Sequence, residues 1–258
     1  MKPNVLYLVI LVFLGVILST CSSKITTIKP APSSREHHYT LGSSSVVIKK
    51  ITYTVGMPVL FLQLHHNENT AAEVAGIFSA KHGIDFMQIA NNGNRLISFE
   101  QNKISYRFDP NRIFSEAGIK NSLALQSSYA KDAYEAVYRF REFLLDMLDA
   151  KKTIVAVHNN TNGEFSIHQY QQNNSGLVHV NATRDMDDFF ITTDSRLFYL
   201  LKEKNFNVVL EYPERLKDDG SLSIFCAKND RRYVNVEAEH GHRREQAEMI
   251  ETLLQLLK

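Results

Sequence analysis

The chain has 258 residues, with 29 Lys or Arg against 28 Asp or Glu, so its formal net charge is +1. That balance leaves no basic stripe for a phosphate backbone, and with no tryptophan and no nucleic-acid-binding motif the sequence excludes a nucleic-acid partner. Two cysteines exclude a disulfide framework.

Met1-Lys2 is a short basic start, Val5 to Leu18 is apolar but short for a bilayer span, and Leu18-Ser19-Thr20-Cys21 follows at once. The pattern resembles a lipoprotein-type signal peptide over 1–20, with Cys21 as the lipidated residue and the membrane reached through its lipid anchor. Thr20 departs from the usual Gly, Ala or Ser, so a simply cleaved signal and an uncleaved anchor stay open. All three readings export the protein, to the periplasm or the cell surface. Residues 21–40, rich in Ser, Thr, Lys and Pro, are expected to form a flexible tether. Residues 41–258 suffice for one core and one domain.

Val46 to Thr54 alternates and is β-branched, and Pro58 to Leu64 is a continuous apolar run of the kind buried on both faces of a sheet. His65-His66-Asn67-Glu68 follows. Thr70 and Glu73 have capping-box spacing, so a helix is expected from near Ala71 to about His82, stopped by Gly83. Short strands are expected at 85–90, 95–100 and 105–108, the last two as a hairpin around Gln101-Asn-Lys103. Ala133, Val137, Phe140, Leu144 and Met147 recur at helical spacing. Further strands are expected at 153–157, ending at His158, and at 188–192 and 207–211, with a helix capped by Asp194 between the latter two. Leu222 to Ala227 and Arg232 to Ala238 read as strands flanking a turn, with Cys226 a buried small hydrophobe. A closing helix carries Ile250, Leu253, Leu254 and Leu257 inward. The alternation points to a three-layer α/β fold around a mixed sheet.

His65 and Glu68, separated by two residues where a buried strand turns toward a helix, are placed to close on one cation. A catalytic zinc keeps three protein ligands, and two histidines with a glutamate is one such set. The candidate third ligand is His158, at the end of its own apolar strand. Asn111 and Arg112 join a carboxamide and a guanidinium in one loop, a receptor for a carboxylate. Glu237 and Glu239 share one side of a late strand, where either could act as general base. His240-Gly241-His242 with Glu239 is a second candidate metal site of compact spacing.

In this order the motifs resemble the zinc carboxypeptidase superfamily, most closely its succinylglutamate desuccinylase and aspartoacylase branch. That branch has His-Gly-Asn-Glu, here His65-His66-Asn67-Glu68; then Asp-x-Asn-Arg-x-Phe, here Asp109 to Phe114; then a strand-end histidine, here His158; and a late strand with the catalytic glutamate, here Glu237. The resemblance implies a three-layer α/β/α zinc-peptidase-like fold with a central mixed sheet over 41–258. It also implies Zn²⁺ on His65, Glu68 and His158, and a carboxylate-bearing small molecule or peptide as substrate. His66 stands where the branch has Gly and could be a substrate contact, and Ala156 stands where relatives often have Asp, leaving His158 without an identified partner. The branch usually carries a C-terminal β-domain, whereas one helix is expected after Glu237, which weakens any transfer of the branch's substrates.

The implied reaction is hydrolysis of an amide or peptide bond in a cell-wall peptide or N-acyl amino acid. Zinc would activate water, Glu237 would take its proton, Asn111 and Arg112 would hold the substrate carboxylate, and Arg95 would help stabilise the oxyanion. The rival is an exported ligand-binding lipoprotein that keeps the peptidase fold without catalysis.

Overall fold

The computed structural model describes residues 31–173 and 176–258. The signal peptide read over 1–20, Cys21 and the first part of the tether lie outside the described residues. Among the described residues no helix is long and apolar enough to cross a membrane.

The first elements are β1 (Ser33–Leu41), β2 (Ser44–Thr52), β3 (Val59–Gln63), α1 (Asn69–His82), β4 (Asp85–Ala90), β5 (Ile97–Gln101) and β6 (Ile104–Phe108). Then come α2 (Glu116–Gln126), α3 (Lys131–Met147), β7 (Thr153–Asn160), α4 (His168–Asn173) and β8 (Gly176–His179). The last are β9 (Phe189–Thr192), α5 (Ser195–Glu203), β10 (Val208–Glu211), α6 (Leu222–Lys228), β11 (Tyr233–Glu239) and α7 (Arg243–Leu256).

Nine strands form one sheet in the order β1-β2-β4-β3-β7-β11-β9-β10-β8, and β5 and β6 make a separate hairpin. At its centre β3, β7 and β11 run parallel side by side. Their carboxyl ends therefore meet at one edge, where a parallel sheet collects binding groups. β9 pairs antiparallel with β11, which makes the sheet mixed.

Alternation along the strands divides the core. Val155, Val157, Val234 and Val236 pack with α1, α5 and α7 on one face, and Leu60, Leu62, Ile154 and Ala156 with α2, α3 and α6 on the other. This is the expected three-layer α/β/α arrangement around a mixed sheet.

Two elements differ from expectation. Ser33–Thr40, expected as tether, pairs along its length with β2, because the hydroxyls and histidines of an edge strand can face water without apolar periodicity. Leu222–Lys228, expected as a strand, is helical: Ser221 Oγ accepts the Ile224 N–H, and this cap outweighs the β propensity of a short apolar run. Cys226 is buried in that helix, where burial pushes its thiol up to about 12.

Candidate metal centre

Gln63, the last residue of β3, sends both amide hydrogens back to the chain, donating from Nε2 to the carbonyls of His65 and Glu68, each at 2.9 Å. The turn is thereby closed with both side chains inward, His65 and Glu68 each 1% exposed. Glu68 occupies the N-cap of α1 but makes no cap bond. The Thr70–Glu73 capping box does not form: Thr70 Oγ1 accepts from the Gly241 N–H at 3.0 Å, and Glu73 pairs with Arg243 at the surface. Gly83 ends the helix as expected, with φ 69°.

β7 runs two residues beyond His158, and that end is anchored on three elements. Asn159 Oδ1 accepts from Ala71 N at 2.8 Å, its Nδ2 donates to Ala238 O at 3.1 Å and Gln246 Oε1 at 2.9 Å, and Gln246 Nε2 donates to His158 O at 3.2 Å. His158 Nδ1 lies 2.9 Å from Glu68 Oε2, and His65 Nδ1 lies 2.8 Å from Glu68 Oε1. One donor atom from each of the three residues falls within 4.8 Å of the others. Two imidazoles and a carboxylate, buried and converging, fit a divalent zinc-type cation. The remaining ring nitrogens differ: His65 Nε2 is held by Asp109 Oδ1 at 2.7 Å, whereas His158 Nε2 is buried without a hydrogen-bond partner among the described residues. Ala156, two residues earlier on the same strand, offers no hydrogen-bonding side chain.

Charge is concentrated here. Burial works against ionisation of Glu68 and Asp109, but the imidazoles outweigh it, and both carboxyls stay well below the usual carboxylate range. Burial also pulls His65 down, yet Glu68 and Asp109 hold it up at about 9. Arg95, half-exposed, donates from Nη1 to Glu68 Oε1 at 3.0 Å and from Nη2 to Asp109 Oδ2 at 3.4 Å.

Glu237 sits beside His158 in the β7–β11 register. It is 6% exposed and accepts from Asn235 Nδ2 at 2.9 Å. Burial raises its pKa, with Glu68 adding to the rise and His158 opposing it. Glu239 turns away to His242, 3.7 Å from Nε2. A cavity of about 920 Å³ opens over the cluster, and Glu237, Asn111, Arg112 and Arg95 line it. Asn111 and Arg112 occupy the 3-10 turn Pro110–Arg112, where Asp109 Oδ1 accepts from Asn111 N and Asn111 Oδ1 accepts from Leu222 N. Arg112 reaches Asp219 at 3.7 Å.

Two sequence readings change. His66 is a structural acceptor, its Nδ1 receiving the Asn91 and Gly93 N–H groups at 2.6 and 3.1 Å. In the compact second site, His242 and Glu239 gather with Asp185, while His240 lines the main cavity instead. Asp109, Gln63, Asn159 and Gln246 were not singled out as partners of the site. For Asp109 a signal existed, as the first residue of the Asp-x-Asn-Arg segment.

No protein-family profile and no curated protein matches the chain. Among solved structures it is similar to thrombin activatable fibrinolysis inhibitor, at 11% identity and TM-score 0.50, covering 87% of this chain and 70% of that one. The fold is that of the zinc carboxypeptidases. Murein-tripeptide amidase MpaA from Escherichia coli O157 matches at 12% identity and TM-score 0.46, over 89% of this chain and 94% of that one. An aspartoacylase family protein from Mesorhizobium loti matches at 12% identity and TM-score 0.45, over 88% and 67%.

Proposed function

We propose that the chain is a zinc-dependent hydrolase of an amide or peptide bond in a carboxylate-bearing substrate, either a cell-wall peptide or an N-acyl amino acid. The observation that carries this reading is the convergence of His65, Glu68 and His158 on one point, with buried Glu237 on the adjoining strand and Arg112 across the same cavity. His65, Glu68 and His158 would hold the zinc, which when bound would supply Lewis acidity. Glu237 takes the proton of the attacking water and returns it to the leaving nitrogen; its raised pKa suits a group that must do both. Asn111 and Arg112 hold the substrate carboxylate and so fix which amide faces Glu237. Arg95, paired with Glu68 and Asp109 and half-exposed, would help stabilise the oxyanion.

The test is zinc content after purification in metal-buffered medium, followed by a screen against N-acyl amino acids and cell-wall peptides. About one zinc per chain and turnover of one class are expected. Glu237→Gln is expected to retain zinc and lose about 10²- to 10⁴-fold in kcat. Full activity in that variant removes Glu237 from the mechanism, and a chain that binds ligand without zinc or turnover is a binding protein on this fold.

A further inference from the structure

The compact second cluster takes no part in the proposed reaction, and none of its three residues lines the main cavity. It draws on separate stretches of chain: Asp185 ahead of β9, Glu239 at the end of β11 and His242 at the N-cap of α7. One donor atom from each falls within 4.8 Å of the others. The imidazole is aimed from behind. Asp188, only 6% exposed, places Oδ2 3.1 Å from His242 Nδ1, while its Oδ1 accepts from Glu239 N at 2.9 Å. An ionised carboxylate only accepts, so Nδ1 carries the hydrogen and the Nε2 lone pair is left for a cation. Nε2 faces Glu239 Oε2 at 3.7 Å, too far for a hydrogen bond. A buried carboxylate behind one nitrogen, with the other turned to further carboxylates, is how proteins orient a metal-binding histidine. Asp185 is held in place as well: Asn207 Nδ2, from a fully buried side chain, donates to its carbonyl at 2.6 Å.

The charge of the cluster is unbalanced. Among the described residues no lysine or arginine pairs with Asp185 or Glu239, and the flanking cations turn elsewhere, Arg184 to Glu248 at 2.7 Å and Arg243 to Glu73. Two carboxylates this close repel each other unless a cation joins them. We propose that Asp185, Glu239 and His242 form a second cation site, for a zinc-type divalent ion, separate from the buried triad. One imidazole with two carboxylates suits such an ion better than calcium or magnesium, which take oxygen donors. Asp185 is exposed, so water completes the coordination and the ion exchanges more readily than one held by His65, Glu68 and His158. A cation here ties together the approach to β9, the end of β11 and the start of α7, and with them the turn that carries His240 into the main cavity.

The test takes the full chain with its tightly held zinc and titrates further zinc into it calorimetrically at pH 7.5, beside calcium and magnesium. The wild type is expected to take up a second zinc in preference to either other ion. Asp185→Asn and His242→Ala are each expected to abolish that uptake and keep the first zinc; Asp188→Asn, which leaves all three ligands in place, should weaken it about 10- to 100-fold. Saturating zinc should also raise the thermal midpoint of the wild type further, and this rise should be absent from Asp185→Asn, a change at an exposed position that leaves the core intact. No second uptake by the wild type, undiminished uptake by either ligand variant, or a preference for calcium overturns the site. The cluster does not depend on the hydrolase reading: uptake lost in Asp185→Asn, in a chain that holds no tight zinc and hydrolyses nothing, supports the site while refuting the proposed reaction.

Discussion

Asp109 fixes the ring of His65 by its Nε2, and so fixes which nitrogen faces Glu68. Asp109→Asn keeps the shape and removes the charge, so zinc affinity is expected to fall about 10- to 100-fold, read by competition with a chromogenic chelator. Unchanged affinity would mean that Glu68 alone orients the ring. Glu211, which burial raises, gives a pH prediction. A carboxyl raised from 4.5 to about 7 holds its proton more tightly in the folded chain, so its contribution to stability is complete below about pH 4.5 and is lost as pH rises to about 7. The full span is about 3 kcal/mol. Denaturant titrations of wild type and Glu211→Gln should therefore diverge from pH 5 to pH 8, with the variant relatively more stable at the alkaline end; parallel curves would contradict the raised pKa. His65, Glu68, His158 and Glu237 were legible in the sequence because each ends or follows an apolar strand, and central parallel strands bring such ends together. Asp109 was not, because Asp-Pro-Asn is also an ordinary turn. Nor was the direction of the His66 ring, since neighbours in a turn can point opposite ways.

At the scale of elements, the turn bearing Arg112 is clamped between two glycines. A Cβ on Gly118 would stand 2.4 Å from Gly220 Cα and 2.7 Å from Arg112 O, and Gly220 adopts φ +79°. Phe114 N donates to Gly220 O at 2.8 Å, closing the clamp. Gly118→Ala should cost about 1–3 kcal/mol through overpacking and raise KM for carboxylate substrates by shifting Arg112. Loss of stability with KM unchanged would show that the clamp serves the fold alone. Neither the close approach nor the helix at Leu222–Lys228 was readable beforehand, for different reasons. The first depends on a contact between distant segments; the second hung on one cap, Ser221, beside a run whose composition suits a strand. The long helices α3 and α7 were readable because their apolar spacing repeats over several turns.

Across the whole molecule, the two helical layers and the mixed sheet follow from alternating strand and helix patterns, which is why the fold class could be read without a sequence match. Stripping zinc with a chelator should lower the thermal unfolding midpoint, and restoring zinc at about 1,000 times its dissociation constant should return about 4 kcal/mol. A midpoint indifferent to the metal would argue against a site formed from these ligands. The parallel neighbours β3 and β7 bear on how the chain gets there. Glu68 and His158 are separated by 90 residues of chain yet share one hydrogen bond. Closing a loop of that length costs about 4 kcal/mol of chain entropy in an unfolded polypeptide. A cation seated between them would therefore act as a clasp, gripping the finished sheet and finding little purchase on a chain whose central strands have not yet met.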